Sequence, residues 1–344
     1  MIVAFCEPLI DAIINVEDSL MKEWGIRDGD AIINNSHYQP LVDYALSHKD
    51  CSILCGGAGQ NTLSMAQWMM DQPNKTMVFG AVGSDNNKKV LETMIKNNGV
   101  TPNYMEINGK TTGCCVVFIS NSNRSFVASL SASSSYDFSK WDSPATISAI
   151  KNSKVVFTSC FFLRHSDKIA FAAAAEAMAN NADFALSLSA PNIIESNTWH
   201  SIRGIIRSCT LLFGNKDEYF SLAKQLGYVK QGDDIDSVNM KEIAKLISEY
   251  GNPTRSRIVV ITMASEPAIA CKTSDVPVTC DTIPISKDKI IDTNGAGDSF
   301  AGGFLSQYVK GESIKKCLKA GCYAAWCNIQ QKGCTIPSFK PNFQ

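Results

Sequence analysis

The sequence predicts an α/β protein, a three-layer α/β/α body around a mostly parallel sheet with a small β-rich domain beside it. Short runs that are apolar throughout, VVF at 155–157, FALSLS at 184–189, TLLFG at 210–214 and IVVIT at 258–262, alternate with amphipathic segments of helical length at 166–180, 216–227 and 238–250. A strand apolar along its whole length is buried on both faces, as parallel strands under two helical layers are. Two stretches break this rhythm, 9–54 and 105–131, and both carry strand-like segments without crossover helices.

The totals agree with that class. Hydrophobic residues make up 45% of the 344 and charged ones 19%, enough to bury a large core and one appendage. Lys plus Arg number 32 against 33 Asp plus Glu, so the net charge of −1 gives no pull toward nucleic acid or an anionic membrane. Thirteen cysteines include no C-x-x-C pair and no ligand spacing with the four histidines. They read as free buried thiols in a reducing compartment, the cytoplasm. The N-terminal MIVAFCEPLIDAIINV lacks a basic leader and is interrupted by Glu7, Pro8 and Asp11, unlike a signal peptide. The longest alanine-rich run, IAFAAAAEAMA at 169–179, contains Glu176 and is too short to span a bilayer, so it is expected to be a core helix.

Taken in order, the opening strand passes into LIDAIINV and later AIINN, strands of the small domain. GGAG at 56–59 is a turn leading to the helix QNTLSMAQWM. TTGCCVVFIS and RSFVASL flank NSN as a hairpin. The expected division is 1–8, 55–104 and 132–344 for the large domain, with 9–54 and 105–131 forming a lid that could close on a ligand.

The most informative stretch is DTNGAGDSFAGG, Asp292 to Gly303. Four glycines in twelve residues at the start of a helix need a backbone reason, since each costs roughly 1 kcal/mol in a helix interior. KIID reads as a strand end before them, and FAGGFLSQYV as a helix after them. Gly295, Ala296 and Gly297 then sit at a helix N-terminus, where unpaired amides and the dipole favour an anion. Asp298 in the first turn is placed to accept a proton from a hydroxyl attacking a phosphoryl group. The chain has no G-x-x-x-x-G-K-[ST] and no G-x-G-x-x-G at a first βα turn, which excludes a P-loop site and a dinucleotide site.

DTNGAGDSFAGGFLSQ, GGAGQNTLSMAQWM, TTGCC, NRSFVASL, SCFFL, LSLSAP, LFGNKDE and GCTIP follow one another in an order that resembles the ribokinase-like family of carbohydrate and purine-nucleoside kinases, above all its adenosine-phosphorylating members. The resemblance implies ATP-dependent phosphorylation of the 5′-hydroxyl of adenosine, with magnesium as cofactor and a monomeric chain. It implies that Asp298 is the base and that the amides from Gly295 through Ala296 and Gly297 to Asp298 form the anion hole. It puts Asp11, Gly56, Gly57 and Asn61 at the ribose, Phe126 and Phe161 beside the base, Leu9, Ala128 and Asn294 among the other substrate-binding residues, and Arg124 over the phosphates. It gives Asn215 and Glu218 to magnesium through water, and Thr262 and Asn328, with Asn215, Gly295 and Gly297, to ATP.

Each of these residues also has an ordinary structural reading. Asp11 and Gly56-Gly57 suit turns, Phe161 a core and Arg124 a solvated hairpin, while Asn215 with Glu218 suits a helix cap. The chain departs from the family pattern at Glu7, where asparagine is usual, and at Asn192, where phenylalanine is. It also departs at Ala31, and at Met263-Ala264 in place of a glycine. These departures gather near the nucleoside and nucleotide sites and leave Asp298 untouched, so another purine nucleoside or a sugar stands as an alternative substrate. A catalytically silent purine-binding protein is the alternative outside enzymes.

Overall fold

The structure is a computed structural model that describes residues 1–27, 31–34, 36–120, 123–251 and 254–343, with Ala31, Asn123 and Arg124 described by their backbone alone. The first half of the chain runs through β1 (Ile2–Phe5), β2 (Leu9–Asn15), α1 (Asp18–Glu23), β3 (Ala31–Ile33), α2 (Gln39–Ser47), β4 (Ser52–Gly56), α3 (Ala58–Met70), β5 (Thr76–Gly83), α4 (Asn86–Asn97), β6 (Thr101–Ile107), β7 (Gly113–Ser120) and β8 (Asn123–Ser129). The second half holds α5 (Pro144–Lys151), β9 (Val155–Ser159), α6 (Cys160–Ala179), β10 (Asp183–Ser187), α7 (Pro191–Ile194), α8 (Trp199–Ile205), β11 (Leu211–Asn215), α9 (Lys216–Gln225), α10 (Met240–Glu249), β12 (Ile258–Met263), β13 (Glu266–Lys272), β14 (Val278–Cys280), α11 (Ala296–Tyr308) and α12 (Ile314–Asn328).

The described strands form two sheets. The large one has the order β14-β13-β12-β11-β10-β9-β1-β5-β6 and is parallel except where β13 and β14 join as an antiparallel edge. Alternation along its central strands explains the three layers. Ile2 and Ala4 of β1 point into one core with α3, α4, α11 and α12, while Val3 and Phe5 point into another with α5, α6, α8, α9 and α10. Val155 and Phe157 of β9 divide from Val156 in the same way. Both faces are dry, which is why these strands read as unbroken apolar runs.

The small sheet has the order β3-β8-β7-β2-β4. Ile10, Ala12 and Ile14 of β2 and Val116 and Phe118 of β7 pack with Met21 of α1 and Leu41, Val42 and Ala45 of α2. The opposite face carries Leu9, Asp11 and Cys115 toward the large sheet's strand ends. The expectation that 9–54 carries strands without crossover helices is therefore corrected. A five-stranded mixed sheet with one apolar face needs a cover, and α1 and α2 supply it. Of the expected boundaries, 54/55 falls inside β4 and 104/105 inside β6.

Two further corrections concern local structure. The helix expected at 166–180 begins at Cys160, where Ser159 caps it by accepting from the Phe162 amide, and it kinks at Ser166 (φ −137°, ψ 40°). KIID is not a strand end. The edge strand β14 pairs with β13 alone, and the amides of Ile291 and Asp292 both donate to the Ile329 carbonyl, tying the loop to the end of α12.

Candidate active site

A cavity of about 630 Å³ opens where the carboxyl ends of the parallel strands meet the small sheet. That is where ligands bind in open α/β sheets, and the size suits a small molecule. One wall is the N-terminus of α11 from Asn294 to Asp298. Leu9 and Asp11 of β2 and Phe126 and Ala128 of β8 form the roof, and Phe161 of α6 closes one side. Asn215, Glu218 and Thr262 lie around the ends of β11 and β12.

The glycines of the α11 stretch have separate physical roles. Gly295 is the cap residue with φ of +72°, and a Cβ there would sit 2.7 Å from that of Cys334. A Cβ on Gly297 would meet nothing within 4 Å, so this glycine keeps the cradle open. Gly302 is pressed against α3, where a Cβ would fall 2.4 Å from the Thr62 carbonyl oxygen, and Gly303 likewise against Ala320 of α12. The loop before the helix is pinned by Asp292, whose two carboxylate oxygens accept from the amides of Asn294 and Gly333 at 2.8 Å each. The amide of Ala296 already donates to the Thr293 carbonyl, so the available donors of the expected anion hole are those of its neighbours.

Four carboxyl groups bear on this cavity. Asp298 retains a little accessible surface, but the enclosing protein raises its pKa to about 7, against the opposing pull of a hydrogen bond from Asn61. Asp11 is also raised to about 7, first by desolvation and then by the negative charges of Asp298 and Asp292. A Cβ on Gly56 would fall 2.2 Å from Asp11 Oδ1, so a side chain there would displace this carboxylate. Glu218 is raised to about 7 by burial, with the Asn215 backbone hydrogen bond opposing. Glu7, buried in the link between β1 and β2, is raised to about 7 by burial against the opposing charge of Arg164.

Some expected site residues occupy supporting positions. Asn61 Nδ2 donates to Asp298 Oδ2 at 3.0 Å, a contact across the site that its sequence position did not announce. Asn328 is fully buried and donates to the Asn294 carbonyl, bracing the cradle from behind. Gly57 caps α3 at φ of +92°, where a Cβ would strike the Glu7 carbonyl. Asn215 and Glu218 form a complete capping box at the start of α9 while also lining the cavity. Arg124 lies on β8 opposite Ile119, and its side chain and that of Ala31 are outside the described residues. Arg164 at the cavity and His165 behind Glu7 were missed. The signal was an Arg-His pair inside an otherwise apolar helix start.

Residues 38–341 match the model of the pfkB family of carbohydrate kinases. Adenosine kinase 2 of Arabidopsis thaliana is 33% identical over 340 residues, 98% of this chain and 95% of that protein. The adenosine kinase of Dictyostelium discoideum is 29% identical over 337 residues, 98% of this chain and 96% of its own. The crystal structure of Anopheles gambiae adenosine kinase in complex with P1,P4-di(adenosine-5) tetraphosphate is similar at a TM-score of 0.87 and 30% identity, covering 98% of this chain and 99% of the other.

Proposed function

The chain belongs to the pfkB family of carbohydrate kinases, among its adenosine kinases, and we propose that it transfers the γ-phosphoryl group of ATP to the 5′-hydroxyl of adenosine, yielding AMP and ADP. One observation carries the chemistry: a recessed Asp298 in the first turn of α11, beside a glycine cradle and in the same cavity as Asp11. Asp11 is assigned the ribose hydroxyls, which a carboxylate can accept as a pair. With Leu9, the backbone of Gly57 and Asn294, it would hold the sugar so that the 5′-oxygen faces Asp298.

Ionised Asp298 takes the hydroxyl proton as the 5′-oxygen bonds to the γ-phosphorus and the bond to the β-phosphate bridge breaks. The amides of Gly295, Gly297 and Asp298 and the positive end of α11 then face the charge on the transferring group. Phe161 and Phe126 flank the base, and Ala128 fills the roof beside it. Thr262 borders ATP, and Arg124 is assigned to its phosphates when the small sheet closes. That closure would keep water from competing for the phosphoryl group.

Magnesium fits this site through water. Among the described residues no group of three or more His, Cys, Asp or Glu side chains is arranged to hold a metal directly. Both oxygens of Glu218 already accept from Asn215, leaving lone pairs suited to a hydrated cation. When bound with ATP the ion would neutralise phosphate charge. The chain is assigned as a monomer, as its resemblance to the adenosine kinases implies. Among the described residues no helix is long and apolar enough to cross a membrane, and the thirteen free cysteines support a cytoplasmic setting.

The test is AMP formation from adenosine and Mg-ATP, beside inosine, guanosine and ribose at equal concentration. Preferential turnover of adenosine supports the assignment. Preference for ribose would move the chain to a sugar substrate, and no turnover of any would favour a silent binder.

A further inference from the structure

Glu7 stands in the link between β1 and β2, four residues before Asp11, and lines the same cavity. It is 7% exposed, and its Oε1 has no hydrogen-bond partner among the described residues. The nearest basic atom is Nε2 of His165 at 3.7 Å, beyond hydrogen-bond reach. Arg164, also from α6, borders the cavity, and Cys6 precedes Glu7 along the chain. Among the described residues these are the titratable and charged groups that bear on it. Burial of an acid without a partner is unfavourable, and such groups in native proteins usually wait for a ligand, a water or a role.

Building on the adenosine-phosphorylating reading above, we propose that Glu7 selects the nucleoside as an uncharged acid, its carboxyl O–H donating to an acceptor nitrogen of the purine ring. Ring nitrogens offer lone pairs only, so a carboxylate at the same place repels them. A ribose hydroxyl could instead turn its proton toward the carboxylate and bind either form, which gives the two contacts different pH signatures. Burial keeps the neutral form of Glu7 populated up to about pH 7, with Arg164 opposing. Burial first and Arg164 second lower the pKa of His165, so the imidazole is neutral where Glu7 titrates. The sign follows: Asp11, which accepts from the ribose when ionised, has lost its proton above about pH 7, and there adenosine binding weakens by about tenfold for each pH unit above the folded pKa of Glu7. Asp298 demands the reverse, because it works only when ionised.

The test is calorimetric binding of adenosine without ATP to the full chain and to Glu7→Gln, from pH 6 to 8.5 in two buffers of different ionisation enthalpy. Glutamine carries a permanent N–H donor at the same length. The wild type is expected to lose affinity above pH 7 and to take up a proton on binding at pH 8, whereas Glu7→Gln keeps its affinity and takes up none through this group. A wild type without alkaline loss, or a variant with the same loss, overturns the proposal. Should the variant fold poorly, wild type with the 1-, 3- and 7-deaza analogues decides. One analogue must bind weakly at pH 6 and show no alkaline loss, and uniform behaviour of all three overturns the proposal. Failure of adenosine to bind either protein at any pH sinks the functional reading and this inference together, and is distinct from pH-independent binding, which sinks the inference alone.

Discussion

Asn61 Nδ2 donates to Asp298 Oδ2 at 3.0 Å, joining the start of α3 to the first turn of α11 across 237 positions of sequence. The bond favours the ionised form of Asp298 and offsets part of the desolvation that raises its pKa to about 7. Asn61→Ala should therefore leave the base in place but harder to ionise. The acid limb of the kcat/KM profile is expected to move up by about one pH unit, a typical value for a hydrogen bond to a charged group. Activity lost at pH 6.5 should largely return at pH 8.5. A pH-independent loss would assign Asn61 to substrate contact instead.

Asp298 itself should be indispensable to the chemistry and dispensable to nucleotide binding. Asp298→Asn keeps the shape and removes the proton acceptor, so turnover is expected to fall by about 10² to 10⁴. Binding of ATP, followed by equilibrium titration, should change little because the cradle is backbone. Near-wild-type turnover at saturating substrates would remove Asp298 from the mechanism.

The sequence made the large sheet and the cradle legible for local reasons. Strands buried on both faces are apolar without a break, and a glycine-dense helix start has few structural explanations. What stayed hidden was set by tertiary contact. Gly302 reads like Gly297, yet one meets α3 and the other faces open space. α1 and α2 are short, with apolar stripes too narrow to announce helices that cover a sheet. Ile290 and Ile291 look like a strand, but the Ile291 amide is spent on the carbonyl of Ile329 at the end of α12, a contact no local pattern announces. The contact of Asn61 with Asp298 stayed hidden because nothing local links it to a residue so far along the chain.

Gly56 offers a test of the nucleoside end. An alanine Cβ would lie 2.2 to 2.6 Å from the Asp11 carboxyl atoms, so the carboxylate must move. Overpacking of this kind costs about 1–3 kcal/mol. Expressed at Asp11, that is about a five- to 150-fold rise in KM for adenosine. KM for ATP should hold, since Asn215 and Thr262 stand at the ends of β11 and β12, three and four places from β1 in the large sheet. Equal rises in both constants would point to a general disturbance of the fold.

The same carboxyl groups should shape how stability depends on pH. Asp298 and Asp11 are raised from 3.8, and Glu7 from 4.5, each to about 7. A raised pKa means that the folded chain holds these protons more tightly than the unfolded chain. Their contribution is fully present below about pH 4 and is lost as pH climbs through about 7. Between those limits each group can remove up to about 1.4 kcal/mol per pH unit, with Asp11 and Asp298 titrating as a coupled pair. Ordinary surface carboxylates act in the opposite sense, but only near and below pH 4. The ligand-free protein should thus show its highest Tm near pH 5 and a falling Tm from there to pH 7.5, measured by thermal unfolding in one buffer system. Asp298→Asn cannot ionise and should flatten that decline by its own share. A Tm that rises steadily from pH 5 to 8, or an unchanged slope in Asp298→Asn, would mean that these carboxylates are ionised at little cost, and that the base is set well below neutrality.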